Sequence, residues 1–151
     1  MAIKLKPVSD QVMVITGASS GIGRATAELA AKQGAKLVLV ARDASALESL
    51  VATLTADGAE AISCAVDVGK QESHDQILTA AMERFGRVDT WVNNAGVSIF
   101  GKLDQVSVED QRQLFETNFW GLVYGSLKAL SVLREHGGAL SNLGSEGSDI
   151  A

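Results

Sequence analysis

Apolar and polar positions follow two patterns that succeed each other along the chain. Short apolar runs rich in β-branched residues are separated by amphipathic stretches of a dozen residues or more. The runs predict five β-strands, which are Val12–Thr16, Lys36–Val40, Glu60–Val66, Val88–Asn93 and Gly138–Leu143. Most are apolar at consecutive positions, which is typical of parallel strands covered on both faces. The pattern predicts one doubly wound α/β domain with a parallel sheet over residues 1–151.

The amphipathic stretches carry signals for helix starts and ends. A helix is predicted over Arg24–Lys32, directly after the first strand and its turn. Ser45–Glu48 has the Ser-x-x-Glu form of a capping box, and Gly58 marks the end of that second helix. A third helix is predicted to stop at Gly86. A long fourth helix is predicted from Ser107 to about His136.

A glycine-rich turn connects the first predicted strand to the first helix. The turn reads TGASSGIG from Thr16 to Gly23. Glycines allow backbone N–H groups to approach a pyrophosphate, and the positive end of the following helix faces the same point. A tight turn without a ligand is the alternative, but the position in the first β-α-β unit favours dinucleotide binding. The spacing Gly17-x-x-x-Gly21-x-Gly23 differs from the common G-x-G-x-x-G fingerprint.

Three further motifs follow this turn in order: Asp67-Val68 after the third strand, Asn93-Asn94-Ala95-Gly96 at the end of the fourth, and Asn118 in the long helix. Together with the turn they closely resemble the short-chain dehydrogenase/reductase family. The resemblance implies a Rossmann-like sheet with five of seven strands visible. It also implies a set of cofactor-binding residues, namely Gly17, Ser19, Ser20, Gly21, Ile22 and Gly23 at the pyrophosphate and adjacent ribose, Asp67 and Val68 at the adenine, and Asn93, Ala95 and Gly96 beneath the cofactor. Asn93 to Gly96 could equally be a polar strand end that stabilises the sheet, and the two roles could coexist.

The end of the second strand predicts which dinucleotide binds. In NAD-preferring members of the family an acidic residue there holds the ribose hydroxyls, but this chain has Ala41 followed by Arg42. A guanidinium offers a fork of donors to a 2′-phosphate. We therefore predict NADP(H) rather than NAD(H). The alternative is that Arg42 is a solvated residue at a helix start and that Asp43 binds the ribose.

Two residues match the catalytic positions of the family. Asn118 matches the asparagine that supports a proton path, and Ser145 matches the serine that positions the substrate oxygen. The resemblance thus implies hydride transfer between nicotinamide and a carbonyl or secondary alcohol. Asn118 could instead be a helix-bending surface amide and Ser145 a turn residue, with Ser148 or Ser141 as substitutes.

The catalytic tyrosine and lysine of the family form a Tyr-x-x-x-Lys pair about a dozen residues after the serine. The chain contains such a pair at Tyr124 and Lys128, but it precedes Ser145 and lies on the helix of Asn118. We predict a packing role or a subunit contact for it. The functional pair is expected beyond Ala151, so that the chain is a truncated cofactor-binding portion without activity of its own. The alternative is a non-catalytic NADP-binding or regulatory module that ends naturally at residue 151.

Composition and charge limit the classes of function and the cellular location that we expect for this chain. A net charge of −5 without a basic cluster argues against nucleic-acid binding. No apolar run is long enough to span a membrane and no leader pattern is present, so we expect a cytoplasmic protein. Cys64 is predicted to be a buried structural thiol, and His74 and His136 are predicted to be surface residues rather than metal ligands. The family resemblance implies a homodimer or homotetramer, with the helix from Ser107 to Glu135 as the candidate interface.

Overall fold

The computed structural model describes residues 5–145. Within them, five strands form one sheet in the order β3-β2-β1-β4-β5, and every neighbouring pair is parallel. The strands are β1 Val12–Thr16, β2 Lys36–Ala41, β3 Ala61–Ala65, β4 Thr90–Asn93 and β5 Ala139–Asn142. The predicted doubly wound parallel sheet is confirmed. The chain passes from β3 to β4 across the sheet, which brings the ends of β1 and β4 together.

Helices cover both faces of this sheet. They are α1 Gly21–Lys32, α2 Ala44–Ala56, α3 Gln71–Phe85, α4 Val108–Phe115 and α5 Gly121–His136. The long fourth helix that the sequence predicts is interrupted, because a π-helical turn over Glu116–Trp120 joins α4 to α5. Two short 3-10 turns cover Val8–Asp10 and Leu103–Gln105. The π-turn contains Asn118, and such turns often mark functional sites.

Successive side chains of a strand point to opposite faces, so that each strand contributes to two apolar layers. On one face Ile15 and Leu39 pack with Leu47 of α2. On the other face Val14 and Trp91 pack with residues of α3 and α5. Two separate cores therefore explain why the predicted strands are apolar at consecutive positions.

The start of α2 differs from the prediction. Asp43, not Ser45, is the N-cap residue: its Oδ1 accepts from Ala46 N at 3.0 Å and from Ser45 Oγ at 2.7 Å. Two hydrogen bonds lower the pKa of the Asp43 carboxyl. The bond from the Ala46 backbone has the larger effect and the bond from the Ser45 side chain adds to it. The sequence offers two capping residues two positions apart, and the earlier one begins the helix. The carboxylate of Asp43 is consequently engaged in its own helix.

The predicted helix ends at glycines agree with the structure. Gly86 is the left-handed C-cap of α3, with φ +73°, and Gly58 follows α2 with φ +89°. Within the described part of the chain, no helix is both long and apolar enough to cross a bilayer.

Candidate cofactor and active site

The turn between β1 and α1 is fixed against the segment that follows β4. Asn94 Nδ2 donates to the backbone oxygens of Thr16 at 2.9 Å and Gly17 at 3.3 Å. In return, Thr16 Oγ1 accepts from the backbone N–H groups of Asn94 and Ala95, both at 3.0 Å. Four hydrogen bonds thus join two segments that lie far apart in the sequence.

Two glycines of this turn leave no space for a side chain. A Cβ on Gly17, whose φ is +68°, would lie 2.8 Å from Ala95 Cα. A Cβ on Gly23 would lie 2.8 Å from the carbonyl carbon of Gly17 and closer still to its oxygen and to Asn94 Nδ2. These glycines therefore permit close packing between the turn and Asn94, in addition to any role toward a ligand.

Thr16 and Asn94 are absent from the cofactor residues inferred from the sequence. Both act through their hydrogen bonds to the other segment. A sequence signal did exist, because Asn94 is the second asparagine of the Asn-Asn-Ala-Gly motif and Thr16 opens the glycine turn. Only the structure shows that these two polar side chains meet.

A cleft of about 450 Å³ opens above this turn. Ten of the cofactor residues inferred from the sequence line it, which are Gly17, Ser19, Ser20, Gly21, Ile22, Arg42, Asp67, Val68, Ala95 and Gly96. Ala41, Asp43, Val66, Asn94, Val97 and Thr117 complete the lining. Gly23 lies beneath the turn and Asn93 beside a second cavity, so these two do not line the cleft.

The cleft has the features that a dinucleotide needs. Ser20 precedes α1 without a side-chain cap, so the first N–H groups of this 12-residue helix have no helical partner and can bind an anion. At the end of β2, Arg42 is exposed and has no ion-pair partner within residues 5–145. A positive helix end and a free guanidinium therefore face one cleft.

A second cavity of about 570 Å³ adjoins this cleft and shares Ile22, Val68 and the residues from Asn94 to Val97 with it. The two residues at catalytic positions, Asn118 and Ser145, both line this cavity. Asn118 is held firmly, because its Oδ1 accepts from Val97 N and its Nδ2 donates to Val97 O, both at 2.8 Å. The fold therefore brings together two side chains from the π-turn and from the end of β5. Ser148 lies outside the described residues.

Asn93 is directed toward α5 rather than toward the first cleft. The residue is 6% exposed, and its Oδ1 accepts from Trp91 Nε1 at 2.9 Å. Its Nδ2 donates to Asn142 Oδ1 at 2.9 Å and to Ser126 Oγ at 3.2 Å. This arrangement corresponds to the sheet-stabilising alternative weighed for Asn93.

Tyr124 and Lys128 face α3 and line neither of the two cavities. Lys128 forms an ion pair with Asp75 of α3. The Tyr124 ring stacks on Trp120 at 5.7 Å between ring centroids and lies 6.1 Å from His74. This pair joins α3 to α5, as the predicted packing role requires.

The prediction that His74 is a surface residue is wrong. The side chain is 1% exposed, because the start of α3 packs it between Trp91 and Tyr124. Its Nε2 lies 2.9 Å from Val68 O, which requires the tautomer that carries the proton on Nε2. Cys64 is only half-buried, because it lies on the edge strand β3, and burial raises the pKa of its thiol.

Burial of His74 makes the stability of the fold depend on pH. Burial lowers the pKa of His74 and outweighs the hydrogen bond to Val68, which raises it; Lys128 lowers it further. The folded chain keeps this imidazole neutral, whereas the unfolded chain protonates it near pH 6.5. Its contribution to stability is therefore complete above about pH 6.5 and is lost as the pH falls below that value.

We expect the free energy of unfolding to decrease between pH 7 and pH 5, measured by urea denaturation. A His74→Gln variant, which retains a donor for Val68 O, should show a smaller decrease. The exposed His136 provides the control, because His136→Gln should retain the wild-type pH dependence. An unchanged dependence in His74→Gln would contradict this account.

Comparison with known proteins agrees with the geometry. Residues 11–150 match the family model described as short chain dehydrogenase. The chain belongs to the short-chain dehydrogenase family. An uncharacterized oxidoreductase of Bacillus subtilis, YxnA, is 52% identical over 145 residues, which cover 95% of this chain.

Two crystal structures share the fold of this short-chain dehydrogenase chain. A short-chain dehydrogenase/reductase from Burkholderia phymatum in complex with NAD matches 97% of the chain, with a TM-score of 0.92 and 36% identity. An alcohol dehydrogenase from Thermococcus sibiricus complexed with 5-hydroxy-NADP matches 93%, with a TM-score of 0.88 and 36% identity. The chain spans 41% of the Bacillus relative and 53% and 60% of the two crystallised chains.

Proposed function

We propose that this chain is the cofactor-binding portion of an NADP-dependent oxidoreductase acting on a carbonyl or secondary alcohol. The main support is the cleft in which the glycine turn, the α1 N-terminus and Arg42 converge. A nicotinamide dinucleotide bound there supplies or accepts the hydride. The crystallised relatives were obtained with NAD and with an NADP derivative, so family membership alone leaves the choice between the two open.

Arg42 and Asp43 support NADP over NAD. The Asp43 carboxylate caps α2 by accepting from Ala46 N and Ser45 Oγ, and both bonds use Oδ1, so that only Oδ2 remains for a ribose hydroxyl. Arg42 has no such competing partner among the described side chains. A 2′-phosphate would therefore meet a free donor in Arg42, whereas a 2′-hydroxyl would have only Oδ2 of Asp43 as an acceptor.

An Arg42→Ala variant tests the cofactor assignment. Hydrogen bonds to charged groups are worth about 1.5–3 kcal/mol, so the Kd for NADPH should rise roughly tenfold to over a hundredfold. The Kd for NADH should change by no more than about twofold, since NADH lacks the phosphate. Fluorescence titration measures both constants, and Arg134→Ala, an exposed arginine near the end of α5, is the control. An unchanged ratio of the two constants would contradict the proposal.

The second cavity supports oxidoreductase chemistry. Ser145 lines it, where its hydroxyl could hold a substrate oxygen, and Asn118 stabilises its wall through Val97. The chain's only tyrosine, Tyr124, packs against His74 and Trp120. A positioned general acid contributes typically about 10²- to 10⁴-fold to a rate. In the family the tyrosine that serves as general acid follows the serine by about a dozen residues. We therefore expect residues 1–151 to bind NADPH without turning it over, with the general acid located after Ser145.

The reading frame of the gene and an activity assay test this part of the proposal. An in-frame Tyr-x-x-x-Lys about a dozen residues after Ser145 would support the enzyme, and NADPH oxidation by a panel of ketones and aldehydes would measure its activity. A stop codon directly after codon 151 would instead favour a non-catalytic NADP-binding module.

A further inference from the structure

A chain of hydrogen bonds links the buried sheet core to the exposed end of β5. Trp91 Nε1 donates to Asn93 Oδ1 at 2.9 Å, and Asn93 Nδ2 donates to Asn142 Oδ1 at 2.9 Å. An indole N–H can only donate, so Trp91 fixes the orientation of the Asn93 amide. Because the Asn93 amide then presents its donor to β5, residue 142 must supply an acceptor.

Helix α5 completes this arrangement at Gly125 and Ser126. Ser126 Oγ lies 3.2 Å from Asn93 Nδ2 and 3.5 Å from Asn142 Oδ1, so the hydroxyl sits beside both asparagines. A Cβ on Gly125 would come within 3.1 Å of Asn93 Cγ and 3.2 Å of Trp91 Nε1. Close approach of α5 therefore holds the Asn93 amide in place against rotation.

The linked side chains lie where the chain leaves the sheet toward Ser145. Asn142 is the last residue of β5 and pairs in register with Asn93, the last residue of β4. The next backbone bond, from Leu143 N to Asn93 O at 3.0 Å, is the final link between the two strands. Ser145 follows two residues later and lines the second cavity. The direction in which this segment leaves β5 thus depends on the Asn93–Asn142 pair.

We propose that Asn142 is a positioning residue for the reaction, in which its side-chain acceptor holds the end of β5 so that Ser145 faces the second cavity. This inference rests on the proposed function, since it assigns Ser145 a substrate. Asn142 itself touches neither a substrate nor a cofactor in this role. Its effect passes through Asn93 and the Leu143 backbone.

Two substitutions of similar size distinguish the effect of the hydrogen-bond acceptor from the effect of side-chain shape. Asn142→Asp keeps an oxygen that can accept from Asn93 Nδ2. Asn142→Leu removes the acceptor. Gln33→Leu is the control, since Gln33 is an exposed amide that follows α1, remote from both cavities.

The measurements use the complete enzyme that contains this chain. In Asn142→Leu, kcat/KM for a carbonyl substrate should fall about tenfold to a hundredfold, since small misplacements at a reaction centre have effects of this size. The Kd for NADPH should stay within about twofold, because the first cleft does not include residue 142. Hydrogen exchange at the Leu143 amide should accelerate several-fold. Asn142→Asp should retain most of the activity and the slow exchange.

The outcomes distinguish the inference from the function on which it rests. A wild-type enzyme that oxidises NADPH, with an Asn142→Leu variant of unchanged kcat/KM, contradicts the inference alone. Equal losses in Asn142→Asp and Asn142→Leu also contradict it, because the acceptor would then be irrelevant. A wild-type enzyme without NADPH binding or carbonyl reduction contradicts the proposed function instead.

Discussion

Replacing Gly23 by alanine should strongly weaken the proposed binding of NADPH. The added methyl group would meet the carbonyl group of Gly17 and the amide of Asn94, both of which are backbone or tightly hydrogen-bonded. The glycine turn would have to separate from Asn94, and overpacking of this kind costs typically about 1–3 kcal/mol. Because the turn forms the lower wall of the cleft, the Kd for NADPH should rise by roughly fivefold to 150-fold.

Gly58→Ala is the matched control for this experiment. Gly58 has φ +89° and nothing within 4 Å of an added Cβ, so the substitution adds backbone strain without a collision. It should lower the free energy of unfolding by about 1–2 kcal/mol and leave the Kd for NADPH unchanged. Fluorescence titration and urea denaturation of both variants measure the two effects. Wild-type affinity in Gly23→Ala would show that the turn can open without loss of the cleft.

Gly125→Ala should destabilise the fold by about 3 kcal/mol, although alanine is the better helix former. In an exposed helix this exchange stabilises by roughly 1 kcal/mol. Here the methyl group would collide with the Asn93 amide and approach Trp91 Nε1, so that either α5 moves away from β4 or the buried hydrogen bonds break. Overpacking and an unsatisfied buried donor each cost about 1–3 kcal/mol.

Urea denaturation tests the Gly125→Ala prediction through the sign of the change in the free energy of unfolding. Ser131→Ala is the control, because Ser131 lies on the same helix at an exposed position and its hydroxyl donates to Lys128 O of that helix. We expect that variant to change the free energy of unfolding by less than about 0.5 kcal/mol. A stabilised Gly125→Ala variant would mean that α5 and β4 tolerate a larger separation than the structure shows.

The sequence predicts the sheet closely because both faces of each strand are covered. Consecutive apolar residues such as Leu37 to Val40 leave little choice of secondary structure, and the predicted bounds of the five strands lie within one or two residues of those observed. Glycine signals at helix ends were equally reliable, since Gly86 adopts a backbone conformation that other residues rarely adopt.

Tertiary contacts decide the features that the sequence did not predict. His74 carries a polar side chain near a helix start, and only the packing of α3 against Trp91 and Tyr124 buries it. The π-turn around Asn118 has no local signature in the sequence, because an ordinary helix would have the same composition. Both features depend on segments that meet only after the sheet has formed.

The site was predictable where a motif assigns positions and not where side chains act in pairs. The glycine turn was predicted from its position after β1, and the family resemblance implied Arg42 and Asp67. All three line one cleft. The link between Thr16 and Asn94 joins residues 78 positions apart, and no pattern within either segment indicates its partner. Asn142 was missed for the same reason, since its partner Asn93 is 49 positions away.

The Thr16–Asn94 link also determines when, during synthesis, the glycine turn can reach its folded shape. β1 leaves the ribosome first, yet its place between β2 and β4 is complete only when β4 arrives. Until Asn94 emerges, the glycine turn lacks the amide that holds its carbonyl groups. Closing so long a loop is entropically costly and slow compared with local helix formation. The glycine turn therefore reaches its folded shape only after the segment that follows β4 has been synthesised.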